Sequence, residues 1–337
     1  MPKRSSRDLL LAGDIGATNA RLRLYDGAQR VVHEAVFSSR QAPSLAPIVR
    51  AYLTAQKARV AAAVLGIAGP VVGGVVRATN LPWKVDERRL ARDLGIPKVQ
   101  LVNDLAALAI GCTRMGRASK VLVAKGSAVA GSNMAVIAAG TGLGEALLIW
   151  DGNGFIPCAT EGGHADFGPN NDVEVHLWEH VRQQTVGEHV SNEDVLSGPG
   201  LGRMYDFFVD HMGPRARARE NATIAPRLET GDRNALITEL GLARESPAAA
   251  RAVDLFASVY GAEAGNLVLH SLALGGLFVC GGIAARILPA RKALFLAAMR
   301  NKGRMTKLLS KVPVVLVEDP LVGLVGAGHL AARLAAE

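Results

Sequence analysis

A chain of 337 residues, 49% of them hydrophobic and 20% charged, is a globular protein and not a disordered one. At about 150 residues per domain it holds about two domains, with enough core to fold without disulfide or metal staples. Lys and Arg number 38 against 30 Asp and Glu, a net charge of +8, but the charges are scattered and aromatic residues make up only 4%, which argues against a nucleic-acid surface.

Residues 9–12 are a continuous apolar run, the pattern of a buried strand, and Gly13-Asp14-Ile15-Gly16-Ala17-Thr18-Asn19 carries turn chemistry. Ala20, Leu22 and Leu24 then alternate with Arg21, Arg23 and Tyr25, which predicts a half-buried strand closed by Asp26-Gly27. A third strand is expected over 31–37, a helix over 45–57, and an apolar strand over 60–67 that Gly69-Pro70 stops. Asp86 has the position of an N-cap for a short helix ending at Gly95. Residues 99–102 read as a strand that delivers Asn103-Asp104 to its carboxyl end, where a helix through Ala109 begins.

The opening hairpin then recurs. Residues 134–152 hold an apolar run (135–139), the glycine loop Gly140-Thr141-Gly142-Leu143-Gly144, a second apolar strand and a closing Asp151-Gly152, matching 9–27 in length and order of parts. Two such hairpins, each opening a βα-rich half, point to a duplicated architecture. Residues 158–171 are polar, glycine-rich and aperiodic, so a loop is expected. Helical patterns dominate 172–271, with breaks at Gly187, at Gly198-Pro199-Gly200 and around Arg215. A strand over 277–280 sits between Gly275-Gly276 and Gly281-Gly282; a helix, a last strand over 312–317 and a helix over 321–336 complete the chain. Alternating strands and helices with helical insertions argue an α/β class. Basic residues group only at Lys3, Arg4 and Arg7, and at Arg215, Arg217 and Arg219 in a Pro-containing stretch expected to be a floppy loop.

Cys112, Cys158 and Cys280 are odd in number and lack paired spacing, which points to a reducing compartment, the cytoplasm. The run over 9–12 is too short for a signal peptide, and the richest apolar stretch, 267–279, is interrupted by His270, Gly275 and Gly276, so no membrane partner is expected.

No G-x-x-x-x-G-K-[ST] or G-x-S-x-G motif occurs, and the glycine hairpins precede strands instead of helices, which argues against a dinucleotide fold. Without Cβ atoms, successive N–H groups of a glycine hairpin close on phosphate oxygens. Thr18, Asn19 and Thr141 add side-chain donors. Asp14 beside such a nest repels phosphate unless a cation lies between them, which marks it as a Mg²⁺ partner through water. One hairpin alone reads as an ordinary turn; the pair, with an acid in the first, carries the assignment. Asn103-Asp104 suits two roles equally: a helix N-cap, or a carboxylate that takes the proton of a hydroxyl attacking phosphorus. Glu161-Gly162-Gly163-His164 and Glu193 offer carboxylates and an imidazole suited to a polyol. Glu193 also falls within the possible capping box Ser191-x-x-Asp194, and His164 also fits an ordinary loop residue. His176-Leu177-Trp178-Glu179-His180 matches a zinc-peptidase pattern, but nothing singles out a third ligand.

In this order, these motifs resemble the bacterial glucokinase family, the non-ROK branch of the hexokinase/actin-like ATPase superfamily. The likeness rests on residues 13–22, Asn103-Asp104, 140–144, 161–167, 191–201 and 275–283, and spans nearly the whole chain. It implies an α/β, actin-like (ribonuclease H-like) ATPase fold with two domains and a central cleft: a small domain of residues 1–112 with 319–337, and a large one of 113–318 with helical insertions. It further implies transfer of the γ-phosphoryl group of MgATP to the 6-hydroxyl of glucose, at the start of glycolysis, by a homodimer. Carried over by position, Asp104 is the catalytic base, and Asn103, Asp104, Glu161, His164 and Glu193 bind glucose. Asp14, Gly16, Ala17, Thr18 and Asn19 form one phosphate loop and Gly140, Thr141 and Gly142 the other; Gly281 and Gly282 form the adenosine-proximal turn, and Asp14 holds Mg²⁺ through water. Ala17 departs from the family's second glycine; were φ positive there, alanine would cost about 1 kcal/mol. The ROK branch follows its Glu-x-Gly-His element with a cysteine-rich zinc motif, whereas no cysteine lies between His164 and Cys280 here. Three alternatives stand beside glucose phosphorylation. Mannose, fructose or N-acetylglucosamine is one; a sugar-responsive regulator, whose DNA-binding module has no room before Leu9, is another; an actin-like filament protein, with no use for the sugar set, is the third.

Overall fold

The structure, a computed structural model, describes residues 9–337 apart from 80, 186, 188 and 230; Lys3, Arg4 and Arg7 lie outside the described residues. The chain opens with strands β1 (Leu9–Ile15), β2 (Asn19–Tyr25) and β3 (Val31–Ser38), helix α1 (Leu45–Ala55) and strand β4 (Val60–Ile67). Three short strands follow, β5 (Val71–Val72), β6 (Val75–Arg77) and β7 (Lys84–Asp86), then α2 (Glu87–Leu94), β8 (Lys98–Asn103) and α3 (Asp104–Arg114). Next come β9 (Lys120–Ala124), β10 (Met134–Ala139), β11 (Leu143–Trp150) and β12 (Phe155–Thr160). The helical stretch holds α4 (Asp172–Arg182), α5 (Asn192–Val195), α6 (Gly198–Asp210), α7 (Pro214–Thr223), α8 (Ala225–Leu228), α9 (Arg233–Leu242) and α10 (Pro247–Ser271). The chain closes with β13 (Gly276–Cys280), α11 (Gly282–Arg300), α12 (Thr306–Leu309), β14 (Val314–Val317) and α13 (Val322–Ala336). It divides into two compact units: Met1–Ser119, Ala146–Ala159 and Asp319–Glu337, and Lys120–Glu145 with Thr160–Glu318.

In the first unit the strand order is β3-β2-β1-β4-β8. β1 runs antiparallel to β2 and parallel to β4, which is in turn parallel to β8. This interior position explains the continuous apolar run in β1: Leu10, Leu11 and Ala12 are all buried. The expected alternation on β2 is modified at Arg23, which is buried because Glu34 on β3 accepts from its Nε at 2.8 Å. Helix α2 follows the sequence signals closely, with Asp86 accepting from the Arg89 N–H and Gly95 left-handed at the C-terminus. Helices α3 and α13 pack backbone to backbone; a Cβ on Gly326 would collide with the Ala107 carbonyl and one on Gly111 with that of Val322.

The second sheet has the order β12-β11-β10-β13-β14-β9. Its first five strands repeat the order of the first sheet, each beginning from a glycine hairpin whose first strand is parallel to the fourth. Helix α10 is buried along most of its length, and the Tyr260 hydroxyl on it donates to the Ile137 carbonyl at 3.1 Å.

Several expectations need correction. Residues 158–160, read as loop, end strand β12; Pro157 masks the pattern, yet proline is tolerated because β12 is an edge strand. Gly198-Pro199-Gly200 is not a helix break but the first turn of α6, with Ser197 as N-cap and proline where no N–H is required. The Arg215 stretch is not a floppy loop but helix α7, begun by Pro214, with Arg217 paired to Asp210 at 2.7 Å. The short strands β5–β7 and β9 carry too few residues to show a period. Among the described residues no helix is long and apolar enough to cross a membrane.

Candidate active site

The first unit gathers its polar groups at one sheet edge. Ile15 on β1 is level with Ile67 on β4, and Ile67 with Asn103 on β8, so Asp14 and Asn103-Asp104 share the carboxyl edge of three parallel strands. That edge is where open α/β sheets place their ligands. Asn103 is the N-cap of α3: its Oδ1 accepts from the Leu105 N–H at 2.9 Å, while its Nδ2 donates to the Gly69 carbonyl at 3.1 Å. Asn103 fills the cap, and Asp104, half-buried, follows as the first helical residue with its Oδ1 also accepting from the Leu105 N–H at 3.0 Å. Gly66 lets α3 approach, since a Cβ there would press to 3.3 Å on the Ala107 Cβ of that helix.

The Asp14 carboxyl is pushed up from the ordinary aspartate range by burial, partly offset by Arg21. It lies against the first turn of α13, its Cγ 3.8 Å from where a Gly323 Cβ would stand. The turn beyond it comprises only Gly16, Ala17 and Thr18, closed by the Gly16 N–H donating to the Asn19 carbonyl at 2.9 Å. Thr18 and Asn19 are exposed. Ala17 is not among the described residues with positive φ, so the strain considered for an alanine there does not arise. Buried Ser39, which sequence reasoning missed, fastens the turn from behind: its hydroxyl donates to the Gly16 carbonyl at 2.8 Å and its N–H to the Thr18 carbonyl at 2.9 Å. A serine just beyond a strand carries no periodic signal.

In the second unit, β10 and β13 run parallel with Ala138 opposite Cys280, which sets Gly281 beside Ala139, the residue before Gly140. Gly281 has φ +96°, and a Cβ on it would collide with the Ala139 carbonyl, so no other residue fits. Gly282 opens the 19-residue helix α11, and Gly198, whose N–H donates to the Gly140 carbonyl at 2.9 Å, opens α6. Between these lies a cavity of about 360 Å³ bordered by Gly140, Thr141, Pro199, Asn234, Gly282 and Arg286. The start of α11 beside a glycine hairpin favours an anion, whereas the first N–H groups of α6 are already taken, that of Gly200 by the Ser197 hydroxyl at 3.1 Å. The sequence reading missed Pro199, Asn234, Thr238 and Arg286; they sit on helices whose apparent pattern is ordinary.

The same unit unites Glu161, His164 and Glu193. Gly162–His164 form one 3₁₀ turn, with the His164 Nε2 3.9 Å from the Glu161 Oε2 and both side chains more than half exposed. The bridge Asp166–Ser191 ties this segment to the turn carrying Glu193. Ser191 and Asp194 do form the capping box; Glu193 stands outside it, and its Oε2 accepts from the Leu143 N–H of the second hairpin at 2.8 Å. Gly163 packs so tightly on the Leu143 carbonyl that a Cβ would collide with it. Among the described residues no three His, Cys, Asp or Glu side chains form a metal cluster, and His180 of the zinc-peptidase pattern instead meets the Gln184 amide at 3.0 Å.

A family model described as Glucokinase matches residues 11–334. A glucokinase of Nostoc punctiforme is 36% identical over 343 residues, covering 97% of this chain and 99% of its own. Among solved structures, a glucokinase from an Antarctic psychrotroph aligns with TM-score 0.80 and 30% identity over 98% of this chain and 99% of that one. A Balamuthia mandrillaris glucokinase in complex with glucose aligns with TM-score 0.77 and 21% identity over 97% and 94%. The fold is thus the actin-like ATPase α/β fold. Carrying the glycine hairpins, the Asn103-Asp104 corner and the Glu161–His164 turn within a full-length match, this chain belongs to the glucokinase family.

Proposed function

We propose that the protein transfers the γ-phosphoryl group of MgATP to the 6-hydroxyl of glucose, as a member of the non-ROK branch. The observation that carries this reading is the common carboxyl edge of β1, β4 and β8, which supplies Asp14 and Asp104 together. Asp104 acts as the base: phosphoryl transfer asks for little covalent work, and a carboxylate takes the hydroxyl proton late, as the oxygen loses electron density to phosphorus. Asn103, Asp104, Glu161, His164 and Glu193 hold the hexose hydroxyls. The turns Gly16 to Asn19 and Gly140 to Gly142, closed by the Gly16 and Gly140 N–H groups, grip the phosphates through their other N–H groups, and Gly281-Gly282 with the start of α11 receives the adenosine side of the nucleotide.

Asp14 fits a magnesium ion. It is a desolvated carboxylate beside a phosphate nest, and Mg²⁺ keeps most of its waters, so a single carboxylate plus substrate phosphates suffices. Bound there, the ion neutralises charge on the phosphate oxygens. The absence of cysteine between His164 and Cys280 supports the non-ROK branch. Cys112, Cys158 and Cys280 form no disulfide among the described residues, which suits work in the cytoplasm. Exposed Val31, Val32 and Val36 on edge strand β3 favour a homodimer, which sedimentation would reveal.

A coupled assay over glucose, mannose, fructose and N-acetylglucosamine with ATP, ADP and polyphosphate tests the reading. Turnover with glucose and ATP at a kcat/KM at least tenfold above every other pair is expected. Preference for another hexose would reassign the substrate, and no turnover with any pair would overturn the kinase.

A further inference from the structure

Two buried acids that phosphoryl transfer does not use lie directly behind the Glu161–His164 turn. Glu145 on β11 is 3% exposed and Glu263 on α10 is 8% exposed, and their carboxyls are hydrogen-bonded to each other. One oxygen of Glu145, Oε1, is buried without a partner. The other, Oε2, stands where a Cβ on Gly162 would collide with it. Backbone bonds reinforce this contact: the Gly162 N–H donates to the Thr160 hydroxyl at 3.2 Å, which donates to the Glu145 carbonyl at 3.1 Å. Glu145 therefore supports the turn through its side chain and its backbone alike.

Other charged groups around the pair are few. Glu263 accepts from the Asn266 amide at 2.9 Å, and Asn266 in turn accepts from the Lys302 ammonium at 2.6 Å. His270 and Tyr260 on α10 and Glu174 on α4 complete the surrounding titratable set. Lys302 matches one negative charge, not two. Two touching carboxylates out of water do not both ionise, so one proton is shared, as in other carboxylate dyads.

We propose that Glu145 and Glu263 are positioning residues for hexose binding: sharing one proton, they brace Gly162 and hold Glu161 and His164 in their binding arrangement, and a second negative charge on the pair releases the brace. The inference rests on the assignment of Glu161–His164 as the sugar turn. Burial, and then the Glu263 charge, push the Glu145 carboxyl up to about 8. Because this folded value exceeds the 4.5 of a free glutamate, the brace is intact below about pH 8 and is lost as pH rises through it. One unit above the midpoint about a tenth of the molecules remain competent, so KM for glucose rises about tenfold.

The test is the pH profile of KM for glucose and for ATP, from pH 7 to 9.5, in wild type and Glu145→Gln. The amide donates as the protonated carboxyl does but does not ionise. Wild type should show the tenfold rise for glucose with KM for ATP unchanged, while Glu145→Gln keeps the neutral-pH value throughout. A Glu145→Gln profile parallel to wild type, as titration of Lys302 would give, overturns the proposal. Should the variant not fold, a carboxyl ¹³C titration of wild-type protein decides: one glutamate resonance must move with a midpoint near 8, and its absence refutes the shared proton. His164→Ala separates the two claims. An unchanged KM for glucose in that variant removes the sugar turn itself, whereas a raised KM alongside parallel pH profiles removes only the brace.

Discussion

The two glycine hairpins have the same place in two sheets of the same strand order, yet their surroundings differ. The first ends β1 with a half-buried carboxylate, Asp14, whose proton affinity burial raises. The second has no acid in its turn; its N–H groups border a cavity between the starts of α6 and α11, and its Leu143 N–H is taken by Glu193. On the proposed reading a single backbone device serves two purposes: beside an acid it suits a cation and the phosphates that follow it, and beside the start of a helix it suits the anion directly. The fold supplies the hairpin, and the residues around it decide the chemistry.

Substitutions can break this contrast. The largest effect belongs to Asp104→Ala, which should lower kcat by a factor on the order of 1,000 or more, about 4 kcal/mol, and leave glucose affinity by calorimetry within about tenfold. Near-normal turnover would remove Asp104 as base. Gly281→Ala comes next. It combines a positive φ with a collision at the Ala139 carbonyl, so it should destabilise by about 3 kcal/mol and weaken ATP binding. Gly282→Ala, with open space around its Cβ, should melt near wild type. Equal melting of the two would contradict the packing described at the second hairpin.

Asp14→Asn should raise the magnesium concentration for half-maximal rate by about tenfold, roughly 1.4 kcal/mol, without lowering the thermal stability of the free protein, because a desolvated charge is removed. A fall in stability without a change in magnesium dependence would make Asp14 structural only. The smallest effect is expected from Ala17→Gly. With no positive φ to relieve, it should gain nothing and lose about 0.5–1 kcal/mol of stability through added backbone freedom; stabilisation would show that the turn is strained.

Much of this was readable in advance, for physical reasons that are specific. The continuous apolar runs of β1 and β4 mark strands buried on both faces, and Asp86 and Gly95 bound α2 because each has cap chemistry that few other residues supply. The repeated hairpin foretold the repeated strand order. What escaped was structure whose cause lies elsewhere in the chain. Pro157 is permitted in β12 only because that strand is an edge, and Arg23 is buried only because Glu34 lies opposite. Glu145 and Glu263, separated by more than a hundred positions, look like ordinary surface acids until the fold joins them. At the site, the residue types and loops were legible, whereas the support from Ser39 and the cavity wall at Asn234 and Arg286 required coordinates.

The central claim is that Asp104 receives the proton of the attacking hydroxyl. A crystal structure of the protein with glucose, magnesium and a non-hydrolysable ATP analogue measures this most directly. The account predicts an Asp104 carboxylate oxygen within about 2.6–3.2 Å of the glucose 6-oxygen, the range of a proton-transfer hydrogen bond. A 6-oxygen beyond that range, with no water bridging it to Asp104 and another carboxylate in its place, would contradict it.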